Sequence, residues 1–306
     1  MNETNQTVSL VVVGSLALDT VTTPAAMHQD VLGGSVSYAC AAASFFTQAG
    51  MVGVAGTDFP ESGVAQFRKF GIDLQGLHKV EGKTFRWSGE YEKNMNNRRT
   101  LSTDLNVFAD FSPQLPKAYR KSPFLFLANI APTLQLQVLA QIRKPRFVAA
   151  DTMDMWIQTA PEPLRRLISK IDLLLINDSE ARLLTGEEHL VKAARQVLRW
   201  GPRYVIIKKG EHGSMLVSKS GLVMIPAYPV DDVHDPTGAG DAFAGGFMGC
   251  LAASGKLTQA AVRRAMAVGT VVASFTVEAF SLDRLAVITR ANIDDRITAF
   301  REMIRL

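Results

Sequence analysis

Cysteine is scarce in this sequence: of 306 residues, only Cys40 and Cys250 are cysteines. Each lies among small apolar residues, and neither has a CxxC partner or a histidine cluster beside it. This excludes a disulfide framework and a cysteine-based zinc site as the organising element of the fold. We interpret both residues as buried thiols in a reducing compartment.

Long apolar runs are also missing. The run over residues 10–13 is far too short for a signal peptide or a membrane span, and later apolar stretches are interrupted by Gly, Asp and Arg. With 47% hydrophobic residues, the chain can still bury a large core without covalent or metal support. We expect a cytoplasmic protein with no membrane contact.

Charge of one sign is nowhere concentrated. The 33 Lys and Arg residues exceed the 29 Asp and Glu residues by four, and the sequence pI is about 9.1. Basic pairs such as Arg98-Arg99 and Arg263-Arg264 are scattered, and no basic tail or stripe is present. This pattern predicts no nucleic-acid partner, whereas a mild positive excess suits an anionic small ligand.

Short β-branched runs alternate with helical stretches along the chain. Their nearly continuous apolar character is typical of parallel strands covered on both faces. The predicted strands cover residues 8–14, 124–128, 146–151, 171–177 and 204–208. The predicted helices cover residues 37–49, 60–70, 134–141, 162–170, 179–184, 190–200, 241–253, 257–275 and 293–305. The alternation predicts a single α/β domain over residues 1–306.

One segment breaks this alternation. Residues 83–101 alternate bulky and polar side chains and carry turn residues at 94–97, which predicts a β-hairpin. A polar and aromatic hairpin inserted into an α/β domain is a candidate lid over a binding site, and a plain surface excursion is the alternative.

The stretch over residues 235–243 (DPTGAGDAF) carries the most specific chemistry. A Gly-Ala-Gly turn opening an apolar helix leaves several backbone N–H groups unpaired, which favours anion binding. The predicted anion hole consists of Gly238, Ala239, Gly240 and Asp241. Beside it, the Asp241 carboxylate is placed to accept a proton from a substrate hydroxyl, as a catalytic base. The alternatives are a helix cap and a simple tight turn.

These residues resemble the signature of the PfkB, or ribokinase-like, carbohydrate kinases, and further motifs follow in that family's order. Residues 11–19 (VVVGSLALD), the pair Gly33-Gly34, residues 177–180 (NDSE) and residues 208–213 (KKGEHG) carry the resemblance, which covers almost the whole chain. It implies a three-layer α/β/α sandwich with a mostly parallel central sheet. It also implies a small β lid, which we place near residues 15–34 and 83–104.

On the acceptor side, the resemblance implies that Asp19 and the backbone of Gly33 and Gly34 bind the substrate. Asp19 follows a predicted strand, at the end where open α/β sheets bind ligands. Asn129 ends another strand and is a further candidate, with helix capping as its alternative. On the lid, Arg86 is a candidate for holding an anionic group of the acceptor.

On the nucleotide side, the N-x-x-E motif implies that Asn177 and Glu180 contact Mg²⁺ and phosphate, with Glu180 as the metal-binding residue. Capping of the following helix is the alternative for this motif. The remaining nucleotide-binding predictions are Lys208, Gly210, Gly213 and Met266.

Three positions depart from the family pattern. Tyr38 stands where many sugar kinases carry a sugar-binding Asn, and we predict that it contacts the substrate. Lys208 replaces a frequent Thr or Ser, and Met266 replaces a frequent Asn near the adenine. These changes leave the identity of the acceptor open.

The resulting expectation is an ATP-dependent kinase that transfers the γ-phosphoryl group to a hydroxyl of a sugar or sugar derivative, with Mg²⁺ as cofactor. A nucleoside kinase acting on adenosine- or inosine-type acceptors is the alternative. A non-catalytic sugar-binding sensor is a third interpretation. The sequence leaves open a monovalent cation such as K⁺ near the loop at Asp235, and a homodimer formed through the lid.

Overall fold

The computed structural model describes residues 8–305 of the chain. Its strands are β1 (Leu10–Val13), β2 (Ala17–Thr22), β3 (Met27–Gly33), β4 (Ala49–Gly56), β5 (Asp73–Val80), β6 (Phe85–Tyr91), β7 (Arg98–Asp104), β8 (Phe124–Leu127), β9 (Phe147–Asp151), β10 (Leu173–Asn177), β11 (Tyr204–Lys208), β12 (Ser214–Ser218) and β13 (Gly221–Ile225).

The helices are α1 (Ser35–Ser44), α2 (Glu61–Lys69), α3 (Pro132–Leu139), α4 (Asp154–Thr159), α5 (Pro161–Ile168), α6 (Asp178–Thr185), α7 (Leu190–Leu198), α8 (Ala239–Ser254), α9 (Gln259–Thr276), α10 (Asp283–Val287) and α11 (Arg290–Met303). Within residues 8–305, no helix combines the length and apolar character needed to cross a membrane.

A nine-stranded sheet forms the centre of the protein, in the order β13-β12-β11-β10-β9-β8-β1-β4-β5. Its strands pair in parallel, except that β12 runs antiparallel to both β11 and β13. Alternation along β1 shows why both faces are apolar. Leu10 and Val12 pack into a cluster with α1, α8 and α9, while Val11 and Val13 pack into a second cluster with α5, α6 and α7. The predicted three-layer fold with a mostly parallel sheet is confirmed.

A separate four-stranded sheet, in the order β3-β2-β6-β7, forms the small lid. Its strands lie within residues 17–33 and 85–104. β6 and β7 form the predicted antiparallel hairpin. The Asn94 side chain accepts hydrogen bonds from the N–H groups of Asn96 and Asn97, at 3.0 and 3.2 Å, which explains the turn.

One error of the sequence prediction lies between α1 and β4. The helix predicted over residues 37–49 ends at Ser44, and Ala49 already begins β4. The sequence of β4, AGMVGVAG, is rich in Ala and Gly and lacks the β-branched run that marks the other central strands. This strand is fully buried, so tertiary packing decides its conformation rather than local propensity.

Candidate active site

Three neighbouring parallel strands end in polar residues at one edge of the sheet. Asp151 ends β9, Asn177 ends β10 and Lys208 ends β11. In the strand register, Asp151 lies beside Leu175, and Asn177 lies beside Lys208. Since ligands of open α/β sheets bind outside the carboxyl ends of the strands, this edge is the floor of the candidate site.

Lys208 forms a nearly buried ion pair at this edge. Its Nζ donates to Asp151 Oδ2 at 2.6 Å. Burial alone lowers the pKa of the ammonium, but the Asp151 and Glu180 carboxylates outweigh that effect and raise it. A Cβ on Gly240 would lie 3.2 Å from this Nζ. A permanent cation therefore lies directly beside the second residue of α8.

Asn177 and Glu180 form a capping box at the start of α6. The Asn177 side chain accepts from the Glu180 N–H, and Glu180 Oε2 accepts from the Asn177 N–H, both at 2.7 Å. Burial, and then the nearby Asp151 carboxylate, raises the pKa of Glu180 to about 7. Helix capping, the alternative interpretation of the N-x-x-E motif, is therefore observed. One Glu180 oxygen accepts no hydrogen bond within residues 8–305 and is available to a ligand.

The turn before α8 has the geometry of an anion hole. Gly238 has φ +75°, and a Cβ there would collide with the ring of Tyr38, so only glycine fits. The Ala239 N–H is used by the Pro236 carbonyl at 3.2 Å, and Ala242 N–H bonds the Gly238 carbonyl at 2.8 Å. In the described part of the chain, the N–H groups of Gly240 and Asp241 find no backbone acceptor. These two donors form the start of a helix that attracts anions.

Asp241 is the third residue of α8 and is half-buried at this turn. Its carboxyl oxygens accept no hydrogen bond from any group in residues 8–305. Burial, reinforced by the Asp151 charge, raises the pKa of Asp241 to about 7, although Lys208 and Arg98 oppose the shift. A free carboxyl group with a pKa close to neutrality is suited to accept and release a proton.

Asp19 lies on the lid side of the cleft. It is 4% exposed, and its Oδ1 has no hydrogen-bond partner within residues 8–305. Burial raises the pKa of Asp19 to about 7; the Asp235 and Asp241 charges add to the rise, and a backbone hydrogen bond from Gly34 opposes it. A Cβ on Gly33 would collide with this carboxylate, so β3 approaches Asp19 closely only because residue 33 is glycine. Gly34 has φ +86° and is the N-cap residue immediately before α1.

Tyr38 lies on α1 with its ring against Gly238 and is 1% exposed. Its hydroxyl is buried and has no partner among the described residues. Burial, and then the Asp235 and Asp19 charges, raises the pKa of this phenol well above its usual range. Tyr38 therefore stays a neutral hydrogen-bond donor, in the same region as the unpaired Asp19 Oδ1.

Two residues predicted to bind the acceptor already form contacts with other side chains of the protein. Arg86 pairs with Asp30 and, at 2.8 Å, with Asp58. In the lid register, Asp19 lies opposite Trp87, while Arg86 lies opposite Leu18 and therefore on the other face of the sheet. The Asn129 amide accepts from Trp156 Nε1 at 3.0 Å and contacts the Met153 sulfur at 3.1 Å.

Some of the predicted nucleotide-binding residues lie at a turn beside the sheet edge, and one lies in the core. Gly210 and Gly213 have positive φ and flank a short turn between β11 and β12. The lid reaches this turn, because Asn96 Nδ2 donates to Glu211 Oε1 at 2.9 Å. By contrast, Met266 is 0% exposed in the core between α9 and its neighbours, and does not line a cleft.

Comparison with known proteins decides the family of the chain. Residues 2–283 match the pfkB family carbohydrate kinases. The chain belongs to this family. As a member, it is an ATP-dependent phosphotransferase of the carbohydrate kinase class, as the turn at Gly238 and the carboxyl group of Asp241 led us to expect.

Two relatives align over most of the chain. A cytidine kinase of Thermococcus kodakarensis is 29% identical over 78% of this chain and 87% of its own length. A nucleoside kinase of Methanocaldococcus jannaschii is 25% identical over 73% of this chain and 71% of its own length. The structure of a Burkholderia thailandensis nucleoside kinase in complex with inosine has a TM-score of 0.79 and 20% identity. That match covers 97% of this chain and 98% of the other, and shows the shared fold.

Several residues at the candidate site were not among the predicted site residues. Asp151 was recognisable as the last residue of a predicted strand, but its pairing with Lys208 was not. Tyr91 accepts a hydrogen bond from Thr237 Oγ1 at 3.2 Å, which ties the lid to the turn before α8. Trp87 and Arg98 lie on the inner face of the lid. Only the strand register reveals this, because the hairpin is irregular between Ser88 and Gly89.

Two open surface cavities are distinct from the group of carboxyl side chains described above, although the second includes Lys209, next to Lys208. One, of about 680 Å³, is lined by residues that include His78 on β5 and Lys83 between β5 and β6. The other, of about 610 Å³, is lined by residues including Arg182 and Met224. Neither contains the carboxyl groups with raised pKa values. Converging chemistry, rather than cavity size, therefore locates the candidate active site.

Proposed function

We propose that this protein transfers the γ-phosphoryl group of ATP to a hydroxyl of a sugar or sugar derivative, with Asp241 as the catalytic base. One observation carries the proposal. The free carboxyl group of Asp241, with a pKa of about 7, adjoins the unpaired N–H groups of Gly240 and Asp241 at the start of α8. A proton acceptor and an anion-binding helix end thus occupy one place.

In the proposed reaction, the acceptor lies under the lid against Asp19, Gly33, Gly34 and Tyr38. Its hydroxyl oxygen forms a bond to the γ-phosphorus, and the bond from that phosphorus to the bridging oxygen breaks. The bonding electron pair leaves with ADP, and the hydroxyl proton passes to Asp241. Since such transfers depend mainly on positioning and charge neutralisation, the α8 donors and the Lys208 ammonium supply the larger share of catalysis.

The nucleotide is proposed to lie along the ends of β10 and β11, near Asn177, Glu180, Lys208, Gly210 and Gly213. The residues fit a magnesium ion that is held mostly by phosphates and water. Within residues 8–305, no cluster of three or more His, Cys, Asp or Glu side chains forms a complete metal cage. Glu180 nevertheless offers an unpaired oxygen in a surplus of negative charge. Bound Mg²⁺ supplies neutralisation of phosphate charge.

A nucleoside is the second candidate acceptor, and the comparisons favour it. Two relatives that align over more than 70% of this chain are a cytidine kinase and a nucleoside kinase. A nucleoside places its ribosyl hydroxyl before Asp241 and its base under the lid. Trp87, opposite Asp19 in the register, is an aromatic surface for such a base.

A monovalent cation is a further part of the proposal. The Asp235 carboxylate is fully buried and accepts from the N–H groups of Thr237 at 2.8 Å and Ser281 at 3.4 Å. Burial raises the pKa of Asp235, so a cation beside this loop would favour its charged form. Turnover in KCl against choline chloride at equal ionic strength tests this point, and equal rates would remove the cation from the proposal.

The proposed function is tested with Asp241→Asn and an acceptor screen. ADP release is measured with sugars, sugar phosphates and nucleosides. We expect one acceptor class to stimulate release in the wild type. In the variant, turnover falls by about two orders of magnitude or more, while ATP still binds. Near-wild-type turnover in the variant would remove Asp241 from its role. Tight binding of one compound without any ADP release would support a sensor instead.

A further inference from the structure

Two consecutive arginines of β7 point to opposite sides of the lid. Arg99 lies opposite Glu90 in the hairpin, and its Nη2 donates to Glu90 Oε2 at 2.7 Å. Arg98 lies opposite Tyr91, one position further along. Because successive side chains of a strand alternate between its faces, Arg98 and Arg99 occupy different faces of the same sheet.

The face that carries Arg98 is the face turned toward the candidate active site. Its neighbour Tyr91 accepts a hydrogen bond from Thr237, the residue immediately before Gly238. The guanidinium carbon of Arg98 lies 5.6 Å from the centre of the Trp87 ring, and Trp87 is opposite Asp19 in the register. The cation is therefore held over the inner surface of the lid, between the acceptor side and the start of α8.

The charge of Arg98 reaches carboxyl groups on three different elements. It opposes the burial-driven rise in the pKa of Asp19 on β2, Glu180 on α6 and Asp241 on α8. Arg86 and Arg99, the other arginines of the lid strands, each form an ion pair with a carboxylate. Within residues 8–305, no carboxylate lies within ion-pair distance of Arg98. Because no ion pair neutralises the Arg98 guanidinium, it can bind an anion that enters the cleft.

We propose that Arg98 is a further catalytic residue, which binds the γ-phosphoryl group from the lid side while the α8 N–H groups bind it from the opposite side. This inference rests on the proposed function. As the acceptor oxygen bonds to phosphorus and the bridging oxygen leaves with ADP, charge is spread over the three outer phosphoryl oxygens. A planar guanidinium fork matches two of them at once.

Its position on a lid adds a safeguard. Arg98 reaches the phosphoryl group only when the hairpin lies over the cleft, so the charge arrangement is complete only in the closed state. Water that enters an open cleft meets ATP without this cation, and unproductive hydrolysis is disfavoured.

The test compares Arg98→Gln with Arg99→Gln, two identical changes one residue apart on opposite faces. Dissociation constants are measured by calorimetry for ADP and for an ATP analogue with a non-hydrolysable β,γ bridge, both with Mg²⁺. For Arg98→Gln, we expect the preference for the γ-phosphate-bearing nucleotide over ADP to fall by about tenfold. For Arg99→Gln, we expect no change. Thermal unfolding of both variants verifies that they fold.

Each outcome separates the two proposals. If the wild type binds neither nucleotide, the kinase proposal is overturned and the role of Arg98 with it. If the wild type prefers the γ-phosphate-bearing nucleotide and Arg98→Gln keeps that preference, only the role of Arg98 is overturned. With an acceptor from the screen, kcat falls by about 100-fold in Arg98→Gln, and Arg98→Lys recovers part of the loss. Weaker acceptor binding with an unchanged nucleotide preference would assign Arg98 to the acceptor and refute the proposal.

Discussion

Three carboxyl groups of the candidate site, those of Asp19, Glu180 and Asp241, have pKa values raised to about 7. Burial is the first cause in each case, and neighbouring carboxylates add to it. Surroundings that hold the pKa of a carboxyl group near 7 are uncommon outside functional sites, because ionisation of the buried group lowers the free energy of unfolding. At the scale of single residues, the protein gives up stability for a group that can exchange protons near pH 7.

Asp241 predicts the pH dependence of activity. Below its pKa of about 7 the carboxyl group is protonated and cannot accept the hydroxyl proton, and above it the group is ionised. We expect kcat/KM to rise about tenfold per pH unit below 7 and to level off above it. Steady-state rates between pH 5 and 9 measure this. A profile that is flat across pH 6–8 would contradict the role of Asp241 as base.

Tyr38→Phe is predicted to act in opposite directions on stability and on acceptor binding. The hydroxyl has no partner within the described residues, so its removal raises the free energy of unfolding by about 1 kcal/mol. If the hydroxyl and Asp19 Oδ1 together bind an acceptor hydroxyl, the acceptor KM rises about five- to tenfold.

Tyr119→Phe is the matched control for this change. The Tyr119 hydroxyl donates to Asp73 Oδ1 at 2.8 Å, far from the proposed acceptor residues, and its loss lowers stability. Urea unfolding and acceptor KM are measured for both variants. Equal destabilisation of the two would show that the Tyr38 hydroxyl is already bonded in the free protein, for example to water.

At the scale of elements, the contact between α1 and α8 positions the anion-binding turn. A Cβ on Gly245 would collide with the backbone of Ala39, so the two helices approach as closely as they do because glycine lies at their contact. This approach places the Tyr38 ring beneath Gly238. Side-chain volume on α8 is therefore coupled to the geometry of the turn that begins it.

Gly245→Val is predicted to separate these helices. The added side chain forces a backbone shift, and we expect a loss of roughly 1–3 kcal/mol in the free energy of unfolding, together with weaker ATP binding. Ala253→Val, on an exposed position of the same helix, is the control for helix propensity alone. Denaturant unfolding and calorimetry measure both quantities. Comparable losses in the two variants would remove the packing explanation.

The elements that the sequence predicted well are those with a local signature. β11 has the predicted bounds because its run YVIIK is β-branched and apolar. The turn at residues 94–97 was evident from its asparagines. β4 was missed because glycine and alanine carry no strand signal. The faces of β7 were not predicted because the irregularity between Ser88 and Gly89 changes which of its residues share a face with Trp87.

The roles of residues that depend on tertiary packing could not be predicted from the sequence either. α9 is apolar around most of its circumference, and only its contacts decide that Met266 lies in the core. The acid at position 241 and the turn before it were accessible, since glycine, anion hole and carboxylate adjoin in the chain. The orphaned hydroxyl of Tyr38 and the pair of Asp151 with Lys208 arise from residues far apart in sequence.

At the scale of the whole molecule, we propose one domain with a lid that also mediates a homodimer. β7 is one of the two edge strands of the small sheet, its residues are all exposed, and Leu101 is 50% exposed. An exposed edge strand invites pairing with another chain. We expect a dimer by light scattering in the wild type, and a shift to monomer for Leu101→Lys. A monomeric wild type at micromolar concentration would contradict the dimer.

The hydrogen bond between Asn96 and Glu211 joins the tip of the hairpin to the turn between β11 and β12, and the two residues are 115 positions apart in the sequence. It is solvent-exposed, and such a bond contributes about 1 kcal/mol, or a bias of roughly fivefold. This contact therefore favours the closed position of the lid only weakly. Thermal motion breaks it readily, so it does not limit the rate at which ligands enter and leave the cleft.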